Sequence, residues 1–458
     1  MTSGSTSAAD QLVGAKPRVV IVGGGFAGLF AARTLRRKVG DEVEVTLVNS
    51  TDYFLYLPLL PEVAGGVLEP RRVAVSLAAR LPGVRVVLGE VRKVDLANRR
   101  LTIRNPEDEP VELGYDRLVI AAGGTDKLLP IPGVAEHAHG FRDIPEALYL
   151  RDHITRQIEL ADACDDPAER DARCTFVVVG AGYTGTEVVA QGVLLTEALR
   201  KSRPRLRDQR IRWLLLDLAP SVLPGLDPRL GRGADRVLRK RGVEVTMKTS
   251  IAEATREGVR LTDGTEVATR SLVWCVGVRP ETLFEGLDVP TVKGRVTVDE
   301  FLAVPDHPEL IACGDIAAVP DPARPGEFCA MTAQHAQRQG SVAGRNVAAS
   351  LGYGERRPYL HRGLGFVVDL GGVKAAANPL GIPLTGFLAF LVTRGYHLLA
   401  MPGNRVRVAV DWLLDALLPK HHVQLGLVRS GAVPLDSAGP GLPGAPTAPL
   451  RTPPGATG

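Results

Sequence analysis

Residues 19–35 read VVIVGGGFAGLFAARTL, and residues 176–195 read FVVVGAGYTGTEVVAQGVLL. Each is an apolar, β-branched run that meets a glycine triplet and continues with helical spacing of apolar residues. The triplets are Gly23, Gly25 and Gly28 in the first and Gly180, Gly182 and Gly185 in the second. In such a strand-to-helix turn the first glycine makes the turn and the second lets the backbone approach a pyrophosphate. The third permits close helix-to-strand packing. The helix N-terminus then faces the anion. One such loop is a weak signal, because any α/β domain can hold a tight glycine turn. Two of them, about 157 residues apart, predict two dinucleotide sites on one chain and an electron relay between them.

The surroundings of the two loops repeat. After the first come the strand EVEVTLVNS, ending near Asn49, strand-like alternation over 84–103, and YDRLVIAAGG, which ends in a small-residue turn at Ala121 to Gly124. A helical pattern from Ile144 to Ala163 leads to the second unit. There the loop is followed by a helix, the strand RWLLLDL, a helix near Pro228 to Arg241, the strand VEVTMKT and SLVWCVGVRP. This repeat predicts two related nucleotide folds, the second inserted in the first. The first would resume at GRVTVDE and close with ELIACGDIA. The expected class is therefore α/β: two Rossmann-like dinucleotide-binding domains and a C-terminal α/β region ending in amphipathic helices. Gly314-Asp315 places a carboxylate at a strand's carboxyl end, where open sheets bind ligands. Capping of a following helix is the alternative role for Asp315, and the two loops favour the ligand role.

Composition excludes several other classes. The chain has 458 residues, enough for two or three domains, and its 45% hydrophobic and 23% charged content is that of an ordinary globular protein. A net charge of +4 without a basic, aromatic-interleaved stripe argues against nucleic acid as a partner. Between His361 and Ser430 there are seven Lys/Arg against three acids, so the whole excess can be assigned to the C-terminal region. The five cysteines (Cys164, Cys174, Cys275, Cys313 and Cys329) show neither dithiol nor zinc-ligand spacing, which predicts no redox dithiol and no metal site. Cys275 and Cys313 lie in apolar runs and are expected to be core thiols. The N-terminus lacks the basic start and apolar stretch of a signal peptide, which points to the cytoplasm.

With the glycine loops, AAGG, WCVGVRP and ACGD in this order, the chain resembles the two-dinucleotide flavoproteins. Within them it resembles the type II NADH:quinone oxidoreductases, through YFLYLPLLPEVAGG (53–66), GYTGTEVV (182–189), TAQHAQRQG (332–340) and GLGFVVDLGGVKAAANPLG with the two apolar helices after it. The resemblance covers roughly Pro17 to Pro419. It implies an FAD site at Gly23, Gly25 and Gly28, with Asn49, Ala122, Gly123 and Asp315 around it, Asp315 bonding the ribityl chain. It implies an NADH site at Gly180, Gly182 and Gly185, with Asp217 and Gly277, and Glu187 near the nicotinamide. Gln334 and Gln337 fall where the family places polar residues between flavin and quinone. The implied division is a disordered start (1–16), an FAD domain in two parts (17–143 and 291–355), an NADH domain (144–290), a membrane-association or dimer region (356–431) and a disordered tail (432–458). Three positions depart from the family pattern. Asn49 stands where the FAD ribose usually meets an acid, Gln337 where some members have His, and Met331-Thr332 where a proline is common.

Asp217 ends the strand after the second loop. A carboxylate there accepts from a ribose 2′-hydroxyl and repels a 2′-phosphate, favouring NADH over NADPH. Thr332 is a good N-cap for a helix over 333–350, whose N-terminus would stabilise negative charge on reduced flavin. Gln334 and Gln337 would then share one face. Glu187, in a first helical turn, also suits the helix dipole. The run 384–400 is interrupted by Arg394 and His397, too short and polar to span a bilayer. With the amphipathic run 406–418, in which Trp412 is a candidate interface anchor, it predicts peripheral attachment to anionic lipid at the cytoplasmic face of the cell membrane. A homodimer contact or a buried helical hairpin is the alternative use. The competing functions are a sulfide:quinone oxidoreductase, which needs cysteines such as Cys164 and Cys329 beside the flavin, a reductase of a soluble electron carrier, and an NADH-sensing binding protein.

Overall fold

The computed structural model describes residues 16–284, 286–361, 363–418, 422–429, 433 and 435. Nearly all of the two tails expected to be disordered lies outside them. Six strands form the first sheet in the order Ala303–Val304, His307–Ala312, Arg117–Ile120, Arg18–Val22, Glu44–Asn49 and Arg85–Leu88. Every pairing is parallel except the first. Its central strands are covered on both faces, which is why they read as continuous apolar runs rather than alternating ones. The register places Val22 and Ala312 opposite Ile120 on either side, so the chain leaves all three strands at one level, at Gly23, Ala121 and Cys313.

The second sheet repeats the plan with Ala138–His139, Ser271–Trp274, Thr175–Val179, Arg212–Asp217 and Glu244–Met247, all parallel. The chain leaves the first sheet through Gly124–Asp126 and returns through Val278–Pro280. These two segments pair antiparallel, so the insertion is made by two adjacent crossings. The elements differ from the sequence reading in two places. The second sheet reaches back to Ala138–His139, ahead of the helix at Ile144. GRVTVDE forms Arg295–Thr297 in a separate three-stranded sheet, and the first sheet is re-entered only at Ala303–Val304. Alternation identifies a strand but not the sheet it joins.

The expected helices form at Phe26–Val39, Ile144–Ala163, Tyr183–Lys201, Pro228–Lys240 and Ala333–Ser350. Ile144–Ala163 starts in a capping box, with the Asp143 carboxylate accepting from Glu146 N at 2.8 Å. At the C-terminal end a three-stranded sheet (Val367–Asp369, Ala375–Ala377, Leu384–Gly386) leads into helices Phe387–Ala400 and Arg405–Leu417. Among the described residues no helix is long and apolar enough to cross a membrane.

Helix Ala333–Ser350 crosses Phe26–Val39 at backbone contact. A Cβ on Gly340 would lie 2.0 Å from Ala27 O, and one on Gly344 would lie 2.3 Å from Ala31 O. This crossing carries the start of the later helix to the first glycine loop. Gly340→Ala should therefore cost ~1–3 kcal/mol through overpacking. Gly395→Ala should add ~0.5–1 kcal/mol by helix propensity, since a Cβ there meets no atom within 4 Å. Urea unfolding midpoints of the two variants against the parent check both signs.

Candidate functional site

A cleft of about 860 Å³ runs along the carboxyl ends of both sheets. Twelve of the residues singled out by sequence line it: Gly23, Gly25, Asn49, Ala122, Gly123, Gly180, Gly182, Glu187, Asp217, Gly277, Asp315 and Gln334. Gly28 and Gly185 do not, because they lie under the loops. A Cβ on Gly28 would be 1.7 Å from Gly23 O and one on Gly185 1.8 Å from Gly180 O, so each seats its helix on the preceding turn. Gly23 and Gly180 turn with φ of 101° and 106°, angles that side chains avoid. A Cβ on Gly25 or Gly182 meets nothing within 4 Å and would project into open space. The two loops thus use their glycines identically, and each leaves free space over a helix N-terminus, the geometry of a pyrophosphate cradle.

The strand-end residues repeat as well. Asn49 Oδ1 accepts from Gly24 N at 2.7 Å, and Asp217 Oδ2 accepts from Ala181 N at 2.6 Å. Each pins its own loop from the neighbouring strand. Asn49 spends its amide on Thr51 O and Oγ1, at 2.9 and 3.1 Å, while Asp217 Oδ1 accepts from Ala219 N at 2.7 Å. Lone pairs remain on both for a ribose hydroxyl. Asp315 follows Gly314 in a turn and caps no helix, since the next one begins at Ala333. Burial raises its pKa against the pull of Arg295 and Arg142.

Sequence reasoning missed a buried charged network beneath the cleft. Glu62 is 2% exposed, ion-paired to Arg394 and bonded by Trp412 Nε1 at 2.5 Å. Arg394 lies 3.7 Å from Asp369 and stacks 4.0 Å above the Trp412 ring. Glu187 accepts from Asp369 N at 2.8 Å, and Gln191 donates to Asp369 at 3.2 Å. Burial pushes the Glu187 carboxyl well above the usual range, and the charges of Asp369 and Glu62 add to the rise. The indole N–H of Trp412, read from sequence as a candidate interface anchor, is spent inside the protein on Glu62, as is the Arg394 charge. The available signal was Glu62 itself, an acid inside the apolar run LLPEVAGG.

Helix Ala333–Ser350 starts at Thr332, whose hydroxyl accepts from His335 N at 3.3 Å. Its first turn, through Ala336, lines the cleft, and Gln334 donates to Gly365 O at 2.7 Å. Gln337 is not in the cleft wall, because it lies one turn further along the axis, about 4.5 Å from Gln334. Cys275 packs against the core, as expected, and also lines the cleft, while Cys164 and Cys329 do not line it. No pair of cysteines flanks the cleft, which weighs against sulfide chemistry.

Glu62 has its pKa pushed up by burial to about 7, despite Arg394. Its folded value lies above its unfolded one, so the stability it contributes is complete below about pH 4.5 and is lost as pH rises through about 7. Glu62→Gln should flatten the fall in melting temperature across that window. Part of the slope should remain, because Asp126 and Glu146 are also raised by burial, to about 6 and about 7. An unaltered slope in thermal melts at several pH values contradicts this placement of Glu62.

Residues 17–340 match the pyridine nucleotide-disulphide oxidoreductase family. The type II NADH:quinone oxidoreductase NdhA of Mycobacterium tuberculosis is 34% identical, with 89% of this chain and 88% of that protein covered. The type II NADH:quinone oxidoreductase Ndh of the same organism is 32% identical, with 87% and 88% covered. In structure, NDH2 from Plasmodium falciparum in complex with NADH superposes with a TM-score of 0.82 at 16% identity, over 89% of this chain and 100% of the other, a likeness of fold. On the matching sequence and the paired glycine loops over one cleft, this chain belongs to the type II NADH:quinone oxidoreductases of the pyridine nucleotide-disulphide oxidoreductase family.

Proposed function

We propose that the chain oxidises NADH and reduces a membrane quinone through one bound FAD, without pumping protons. One observation carries this reading: two matched pyrophosphate cradles open onto a single cleft, which Tyr396 and His397 of helix Phe387–Ala400, a helix with an apolar outer face, also line. The first loop suits FAD. Its helix N-terminus is free, Asn49 keeps a lone pair for the ribose, and Asp315 and Gly123 lie along the same wall. The second suits NADH, with Asp217 able to accept from a 2′-hydroxyl and set to repel a 2′-phosphate. When bound, the flavin supplies the step between hydride and electron chemistry, and the protein orients and insulates it.

In this reading 17–143 and 291–355 make the FAD domain, apart from Ala138–His139, which pair into the second sheet, 144–290 the NADH domain and 356–431 the membrane region. Glu187, whose carboxyl burial pushes well above the usual range, closes part of the cleft wall where the nicotinamide would lie. Gln334, in the cleft wall, would stand between flavin and acceptor, while Gln337 would act at most through the helix. The start of Ala333–Ser350 aims its partial positive charge into the cleft.

The outer faces of the last two helices expose Leu388 (65%), Leu391 (50%), Leu413 (57%) and Leu417 (71%). With Arg405, Arg407 and Lys374 exposed nearby in sequence, this face suits peripheral binding to anionic lipid at the cytoplasmic face of the membrane. Leu388→Glu/Leu391→Glu should keep the inward Glu62–Arg394 network and reduce sedimentation with anionic vesicles. Undiminished vesicle binding together with loss of a dimer in light scattering would assign the face to a second subunit.

The assignment of the two loops is tested by two substitutions whose side chains meet free space. Gly25→Glu should yield folded, colourless protein. Gly182→Glu should yield yellow protein that NADH no longer bleaches. A Gly25→Glu protein with full flavin content contradicts the first assignment, and normal bleaching of Gly182→Glu contradicts the second.

A further inference from the structure

The roles above leave out one side chain at the cleft and the buried residue that holds it. His397, in helix Phe387–Ala400, lines it together with Gln334, Phe366 and Tyr396. His397 is 4% exposed and its neighbour Tyr56 1%. The Tyr56 hydroxyl lies 3.2 Å from His397 Nδ1, and the two rings meet edge to face at 5.9 Å. The imidazole is therefore held in one orientation. Tyr56 also packs against Phe26 of the first glycine loop, with ring centres 5.9 Å apart. This pair thus joins the wall of the flavin loop to the C-terminal helix.

Burial, with the positive charge of Arg394 added, lowers the His397 pKa to about 3, so the ring is neutral under working conditions. Burial also keeps the Tyr56 phenol protonated. A phenol that donates to Nδ1 leaves the single ring proton on Nε2, the tautomer that donates a hydrogen bond. A neutral imidazole beside an apolar substrate can polarise a carbonyl without burying a cation.

We infer that His397, held by Tyr56, is the hydrogen-bond donor to a ring carbonyl of the quinone. The inference rests on the NADH:quinone reading above. The bond strengthens as the quinone oxygen gains charge, so it favours the transition state over the bound ground state. No proton leaves His397. The two electrons would come from the reduced flavin, which gives up its own proton to solvent on reoxidation, and the two protons of the quinol would be drawn from solvent, for a net uptake of one. His397 thereby selects for acceptors that carry a carbonyl over acceptors that only take up electrons.

The test compares His397→Leu, His397→Gln and Tyr56→Phe in the flavin-loaded full chain, with a short-chain soluble benzoquinone and with ferricyanide, which has no carbonyl. His397→Leu should lower kcat/KM for the quinone roughly ten- to a hundred-fold, leave ferricyanide reduction and NADH bleaching at parental rates, and weaken quinone binding in calorimetry. His397→Gln, which restores a donor, should regain most of the loss, and Tyr56→Phe should show a smaller loss of the same kind. Equal losses on both acceptors would make the residue merely structural and overturn the inference, as would unchanged quinone kinetics in His397→Leu. A parent protein that reduces ferricyanide but no quinone would instead overturn the functional reading on which the inference stands.

Discussion

Contact of backbone with backbone at two buried glycines sets the geometry of this molecule. Gly28 and Gly185 each seat a helix directly on the turn made by Gly23 or Gly180, at distances no Cβ would permit. That contact points each helix N-terminus along its sheet's carboxyl edge and leaves the second glycine of each triplet facing empty space. A third close crossing, Gly340 against Ala27, brings the start of another helix to the same place. Three helix N-termini converge on one cleft because small residues remove the side chains that would hold them apart. Backbone dipoles at these N-termini add positive potential there, beside the charge of Arg142 in the cleft wall.

The C-terminal helices have two unlike faces. Inward, Arg394 and Trp412 join Glu62 and Asp369 in a network under the cleft floor. Outward, leucines are exposed along both helices. A buried ion pair of this kind is a poor source of net stability, since desolvation offsets most of its attraction. Its effect is on geometry: breaking one member strands the others as uncompensated charges, so the helices hold one position relative to Glu187 and the cleft. The apolar surface is thereby kept in register with the end of the cleft where an apolar acceptor would enter.

Much of this was legible in the sequence. The loops, the insertion and the carboxyl-end turns at Ala122–Gly123 and Gly314–Asp315 announce themselves through glycine spacing and apolar runs, which are local patterns. What stayed hidden depends on long-range partners. Trp412 at an amphipathic helix reads as an interface anchor until Glu62, 350 positions away in sequence, proves to hold its indole. Gln334 and Gln337 share a helical pattern, but only the depth of the cleft shows that its wall stops at Ala336. Arg394 and His397 break an apolar run, which sequence reads only as unfit to cross a bilayer; the structure gives the reason, since both face inward to polar partners.

The central claim is that one cleft takes electrons from NADH and delivers them to a quinone. Sequential anaerobic mixing of the purified flavin-loaded chain tests it most directly, first with NADH and then, after the flavin has bleached, with a soluble quinone. The account predicts that NADH bleaches the flavin at once, and that quinone restores the colour with one quinone reduced for each NADH consumed. A flavin that NADH bleaches but quinone fails to reoxidise, while a soluble iron–sulfur protein does so rapidly, would contradict it.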